Sequence, residues 1–186
     1  MEKNSARPLA VGLTVLGGLA RISQNLNFAP VGALSLFAGA RLRGWRAYLL
    51  PIAIMAITDP LVSRIYGYSA FAGYSVATPF VYASFLINVW LGSRLRRTEN
   101  PGWIGAAALV GSLQFFLISN LGSWLDPVHN IYPHTFSGLI GCYVAAIPFF
   151  RHTLEGDLVF TVAMFATPVV LHAAAGAFGS HDEAAV

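Results

Sequence analysis

Residues 22–46 read ISQNLNFAPVGALSLFAGARLRGWR. The polar residues Ser23, Gln24, Asn25 and Asn27 run into Pro30. A stretch of apolar and small residues follows, and then Arg41, Arg43 and Arg46. The middle of this segment has no charged face to turn toward water, which a surface helix of a soluble protein needs. It reads as a segment held in a bilayer, with the arginines gripping one side and the amides left at the other.

The rest of the chain repeats the pattern. Of its 186 residues, 56% are hydrophobic and 10% charged, against about 25% charged in an ordinary soluble domain. A core of this size could not hide so much apolar surface from water. The composition therefore argues for an all-α polytopic transmembrane helix bundle and against a soluble domain. Helices are the realistic spanning element because lipid offers the backbone no hydrogen-bond partners.

Apolar runs fall at roughly 8–24, 28–43, 46–63, 74–93, 102–121, 135–150 and 156–175. A helix rises about 1.5 Å per residue and needs about 20 residues to cross a hydrocarbon core of about 30 Å. The runs at 28–43 and 135–150 are short for that, so six or seven helices are expected, with the short runs either fully inserted or re-entrant. Residues 1–175 read as a single transmembrane helical domain and 176–186 as a short polar tail. The basic, apolar and small-residue order of residues 1–20 also suits a signal peptide. A first helix is preferred because it keeps the topology consistent. No internal repeat is evident, which leaves an inverted-repeat transporter unsupported.

The net charge is +3, and ten of the eleven basic residues are Arg. They cluster in alternate connections: Lys3 and Arg7; Arg41, Arg43 and Arg46; Arg94, Arg96 and Arg97; and Arg151 with His152; the other connections hold one, Arg64, apart from Arg21, which is still in the first run. The positive-inside bias then sets a cytoplasmic N-terminus in a bacterial inner (plasma) membrane, with multiple passes. Topology explains the basic residues, so no nucleic-acid partner is implied.

The remaining connections face outward and hold the chemistry. They are Ser23 to Asn27, SRIYGYSAFAGY over 63–74, and NLGSWLDPVHNIYPHTF over 120–136. Asp59 is the sharpest signal, because a carboxylate at membrane depth is costly unless paired or facing water. Arg21 and Arg64 are its candidate partners. The alternative is that Asp59 and Pro60 only stop a helix. Asn25 and Asn27 suit either a ligand cleft or a capping turn. Asn120, Trp124, Tyr132 and His134 suit a small, flat, partly polar ligand, or, for the two large aromatics, an interfacial belt. The candidate ligand-binding set is therefore Arg21, Asn25, Asn27, Asp59, Asn120, Trp124, Tyr132 and His134.

Other features point to structure. Ala107/Gly111, Ala108/Ser112, Ser35/Gly39 and Thr14/Gly18 have the spacing of closely packed helices. Trp45, Trp90 and Trp103 fall at helix ends beside arginines, as belt residues do. Glu155 and Asp157 suit the N-terminus of a seventh helix. Cys142, the single cysteine, excludes an internal disulfide and reads as a small buried hydrophobe. The five histidines show no HxxxH or HExxH spacing, and no P-loop or GxSxG occurs. No metal or cofactor is expected, and no enzymatic activity.

The order of NFAPVGALSLFAGA, MAITDPLV, FFLISNLGSW, YPHTFSGLIGCYVAAIPFF and LEGDLVFT resembles an uncharacterised bacterial family of small membrane proteins, over about Ala20 to Thr167. That family is in turn similar to the substrate-binding S components of energy-coupling-factor (ECF) vitamin transporters. The resemblance implies an S-component-like fold, capture of a vitamin-like small-molecule solute from outside, and docking on an ECF coupling subunit driven by ATPases. Thr14 and Gly18 stand where S components carry an Ala-xxx-Ala docking pair, so a solitary importer is the alternative.

The expectation is a membrane solute-binding and uptake protein with an outer-face cleft. The alternatives are a membrane-embedded enzyme or haem protein using His134, Asp59 and His152, and a structural protein that binds a protein partner.

Overall fold

The structure, a computed structural model, describes residues 6–20, 30–71, 74–127, 129 and 131–183. The described residues form six helices: α1 (Ala6–Ala20), α2 (Val31–Arg41), α3 (Arg46–Ile65), α4 (Ala77–Arg94), α5 (Pro101–Trp124) and α6 (Phe136–Glu183). No strand occurs among them. Among the described residues, three stretches are long and apolar enough to cross a membrane: Arg46–Ile65, Pro101–Trp124 and Phe136–Leu171.

The short helix α2 is the hub. It packs against all five other helices, which close around it in the order α1, α3, α4, α5, α6. A helix that is apolar all round has no face for water and belongs inside. Accordingly every residue of α2 from Ala33 to Ala40 is buried. Its small residues let neighbouring backbones come close. A Cβ on Gly39 would strike the Val89 carbonyl oxygen, and one on Gly92 would strike that of Leu36. These two glycines thus let α2 and α4 approach backbone to backbone. The expected small-residue spacings are internal packing. Gly18 fits under Ile54, and Gly111 under Asn88.

The helices define two ends. At the basic end, Arg41 lies over the Phe165 ring at 5.3 Å, and Arg96 Nε donates to the Gly39 carbonyl at 3.2 Å. Trp45, Trp90 and Trp103 are exposed at this end, and Arg94 sits 4.7 Å from the Trp90 ring. The opposite end carries the 66–76 and 125–135 connections.

The first two described helices are the shorter ones. Gly17 of α1 meets Leu34 and Met164, and Gly18 meets Ile54, which stands near the middle of α3. The N-terminus of α2 lies at a similar height. There the Ala33 amide donates to Asp157 Oδ1 at 3.2 Å, and Asp157 Oδ2 accepts from Ser112 Oγ at 2.7 Å. Ser112 stands about 17 Å from either end of α5 by helical rise. So the end of α1 and the start of α2 meet the other helices near their middles.

The last two apolar runs are one helix. Between residues 150 and 158 the chain has no proline and only Gly156 to weaken it. The helix therefore continues, carrying the Arg151–Glu155 pair at 2.9 Å on its exposed face. This corrects the sequence reading in two places. Arg151 and His152 do not form a basic connection; they lie inside α6, next to Phe150, whose ring is 4.7 Å from that of Phe116. Asp157 does not open a seventh helix. Thr135 opens α6 instead, accepting from the Gly138 amide at 3.1 Å, in the manner of an N-cap hydroxyl.

Candidate functional site

Asp59 lies on α3, one residue before Pro60. That proline has no N–H to bond the carbonyl one turn back, which loosens the helix locally. Across from it stands α4. Its start is fixed by a reciprocal cap: the Ala77 amide donates to Ser75 Oγ at 3.1 Å, and the Ser75 amide donates to Thr78 Oγ1 at 2.9 Å. This resembles a capping box with Thr in place of the acidic partner. The cap holds Tyr74 beside the helix start, its ring 5.8 Å from that of Phe71. Tyr82, further along α4, donates its hydroxyl proton to Asp59 Oδ2 at 2.8 Å. Tyr74 and Tyr82 share one wall.

These groups line a cleft of ≈ 250 Å³ between the last turns of α3 and the start of α4. Its apolar wall includes Met55, Val62 and Val81. The cleft is small beside the usual 300–1,000 Å³ of ligand pockets. One carboxylate and two phenols on an apolar floor suit a compact solute with a cationic or hydrogen-bond-donating group.

Below the floor lies one apolar layer. Val31, Met55 and Phe85 are buried there, with Val81, Tyr82 and Phe115 packed on them, and Phe85 stacks on Phe115 at 5.3 Å. Beneath this layer the core turns polar. Asp157 is 4% exposed, and its carboxylate bonds Ser112 and the first amides of α2. The positive end of a helix favours an anion there. Gln114 Nε2 donates to the Ser84 carbonyl and to Asn88 Oδ1, both at 3.0 Å. Thr161 Oγ1, Ser35 Oγ and Gln114 Oε1 are buried without a hydrogen-bond partner among the described residues. The space that Gly32, Asn88, Asp157 and Thr161 share leaves no volume for a water molecule.

The other expected residues do not converge on this cleft. Asn120 donates to the Phe116 carbonyl at 2.8 Å and lines a separate ≈ 220 Å³ groove between α5 and α6. Trp124 Nε1 donates to the Pro133 carbonyl at 2.9 Å, and its ring meets His134 edge-on at 5.6 Å. Those two clasp the α5–α6 turn, and half-buried Tyr132 belongs to the same turn. Arg21, Asn25 and Asn27 lie outside the described residues. Arg64, the other expected partner of Asp59, is exposed. The residues of the haem or enzyme alternative sit apart: His134 on the turn, Asp59 on α3 and His152 on α6. No group of three His, Cys, Asp or Glu side chains gathers among the described residues.

Sequence reasoning missed Tyr82, Tyr74 and the Asp157 core. Asp157 did carry a signal, as an acidic residue between Gly156 and an apolar run, where ionisable groups face a bundle interior.

Six described helices, five of them around a central short one and three with stretches long and apolar enough to span, define a polytopic helical membrane protein. The chain belongs to the family of unknown function DUF6580, whose profile matches residues 2–178. No curated protein and no solved structure matches it.

Proposed function

We propose that this protein captures a small, vitamin-sized solute from outside the bacterial inner membrane for uptake. The solute enters the cleft between α3 and α4, where Asp59, Tyr82 and Tyr74 hold a cationic or donor-bearing group. One observation carries the reading: a cleft with a carboxylate in its wall is separated from a buried polar core by a single apolar layer. Stacked this way, an open cleft, a greasy constriction and a polar interior form the sequence of environments that a carrier needs. Residues Val31, Met55, Phe85 and Phe115 then act as the closed gate. Pro60, which breaks the helical bonding beside Asp59, lets the outer part of α3 swing without unravelling the rest.

Two arginine clusters support the direction. Arg41, Arg43 and Arg46, and Arg94, Arg96 and Arg97, lie at the end away from the cleft, and the positive-inside bias then favours a cleft that faces outward. The chain has no P-loop, so energy comes from another source. An ECF coupling subunit with ATPases, as the S-component resemblance implies, is the source we propose.

The test is extraction of small molecules from purified protein, identified by mass spectrometry. Wild type releases a defined compound bearing an amine or another strong donor. Asp59→Asn and Tyr82→Phe retain markedly less of it while still melting cooperatively as folded proteins. Equal retention of the compound by all three proteins removes the cleft from the account.

A further inference from the structure

We propose that the groove between α1 and α3 at the basic end binds an anionic phospholipid of the adjoining leaflet. Its phosphate sits on Arg43 and Arg46, and an acyl chain lies along Val11, Leu49 and Ala53. The groove is independent of the α3–α4 cleft and, at ≈ 610 Å³, larger.

Its shape comes from helix packing. Helices α1 and α3 touch where Gly18 fits under Ile54. They splay apart toward the basic end, leaving a wedge walled by Val11, Leu49, Leu50 and Ala53. From Ala53 to Arg46 the wedge runs about 10 Å by helical rise, enough for part of an acyl chain. Val11 and Leu49 are 41% and 52% exposed, so the wall is open to a guest.

The rim is cationic. Gly44 takes a φ of 67°, a left-handed turn that lets α3 begin at once and sets Arg43 and Arg46 on either side of it. Both arginines are exposed. Arg46 lies 5.8 Å from the Trp45 ring, and that ring, 67% exposed, suits the headgroup level.

What separates these two arginines from the rest of the basic end is position, because they line the wedge itself. Arg41 lies instead over the Phe165 ring, and Arg96 is on the Gly39 carbonyl. Among the described residues no carboxylate pairs with Arg43 or Arg46. A guanidinium presents a planar fork that matches a phosphate. Two such forks above an apolar wedge match a lipid with a negative headgroup.

The experiment measures thermal unfolding of the full chain in detergent micelles doped with phosphatidylglycerol or with phosphatidylcholine. Phosphatidylglycerol should raise the midpoint saturably, and phosphatidylcholine should not. The double variant Arg43→Gln/Arg46→Gln should bind phosphatidylglycerol at least tenfold more weakly, while melting like wild type in phosphatidylcholine. Ala53→Trp, which fills the wedge and leaves the charges alone, should weaken it as well. Inorganic phosphate and glycerol phosphate should give no shift at matched concentration. Equal stabilisation by the two lipids, an unchanged response in the arginine variant, or a full shift from inorganic phosphate would each overturn the site.

Discussion

Asp157 joins three helices, so its replacement exposes the logic of the fold. Its carboxylate takes the Ala33 amide of α2 at 3.2 Å and the Ser112 hydroxyl of α5 at 2.7 Å. Hydrogen bonds to a charged group contribute about 1.5–3 kcal/mol each. Asp157→Ala removes both. Ser112 Oγ keeps a second acceptor, the Ala108 carbonyl at 3.1 Å, but the amides that open α2 are left buried and unbonded. The expected loss is therefore about 3–5 kcal/mol. In a chain of this size that lowers the melting midpoint by about 6–20 °C. Asp157→Asn is milder. Its amide oxygen still accepts from Ala33, and its NH₂ can donate to Ser112 Oγ. Only the attraction between charge and helix end is lost, about 0.5–2 kcal/mol. The assay is thermal unfolding in detergent followed by a thiol-reactive fluorophore. Cys142 is a free thiol, 2% exposed, and becomes reactive only on unfolding. The predicted order is wild type, then Asn, then Ala. An alanine variant within about 1 kcal/mol of wild type would refute the claim that this carboxylate holds α2 in place.

Further consequences are open to the same assay. Gly92→Ala pushes a methyl against the Leu36 carbonyl and should destabilise by about 1–3 kcal/mol; an unchanged midpoint would show that α2 and α4 can separate freely. Asn100 caps α5, its Oδ1 accepting from the Gly102 amide at 2.8 Å, and Asn100→Ala should cost about 1 kcal/mol. For the extracted solute, measured by equilibrium binding, Tyr82→Phe should weaken affinity about tenfold, the effect of losing one interaction of about 1.4 kcal/mol. His134→Ala should leave affinity unchanged, because that ring packs on Trp124 away from the cleft.

The membrane bundle was legible because hydropathy and charge are properties of composition and order. Asp59 was legible too, since a carboxylate in an apolar run stands out on its own. Its partner was not. Tyr82 is 23 positions away, and nothing in either segment announces which faces of α3 and α4 will meet. The α6 reading failed because two apolar runs separated by charges look like two spans. Only the antiparallel packing on α5 shows that the charged segment lies alongside Ser112 rather than at an end. Asn120, Trp124 and His134 looked like one group because they are close in sequence. Helix geometry turns Asn120 into the groove beside Phe116, and the Pro133 carbonyl draws Trp124 back onto its own turn.

The central claim is that the Asp59 cleft and the arginine clusters lie on opposite sides of the membrane. The direct measurement is labelling by a membrane-impermeant thiol reagent on intact cells, in a Cys142→Ala background. A cysteine at Ser63, in the cleft wall, should react from outside. A cysteine at Thr98, beside Arg96 and Arg97, should react only after permeabilisation. The reverse pattern, or outside labelling at both positions, would contradict the account.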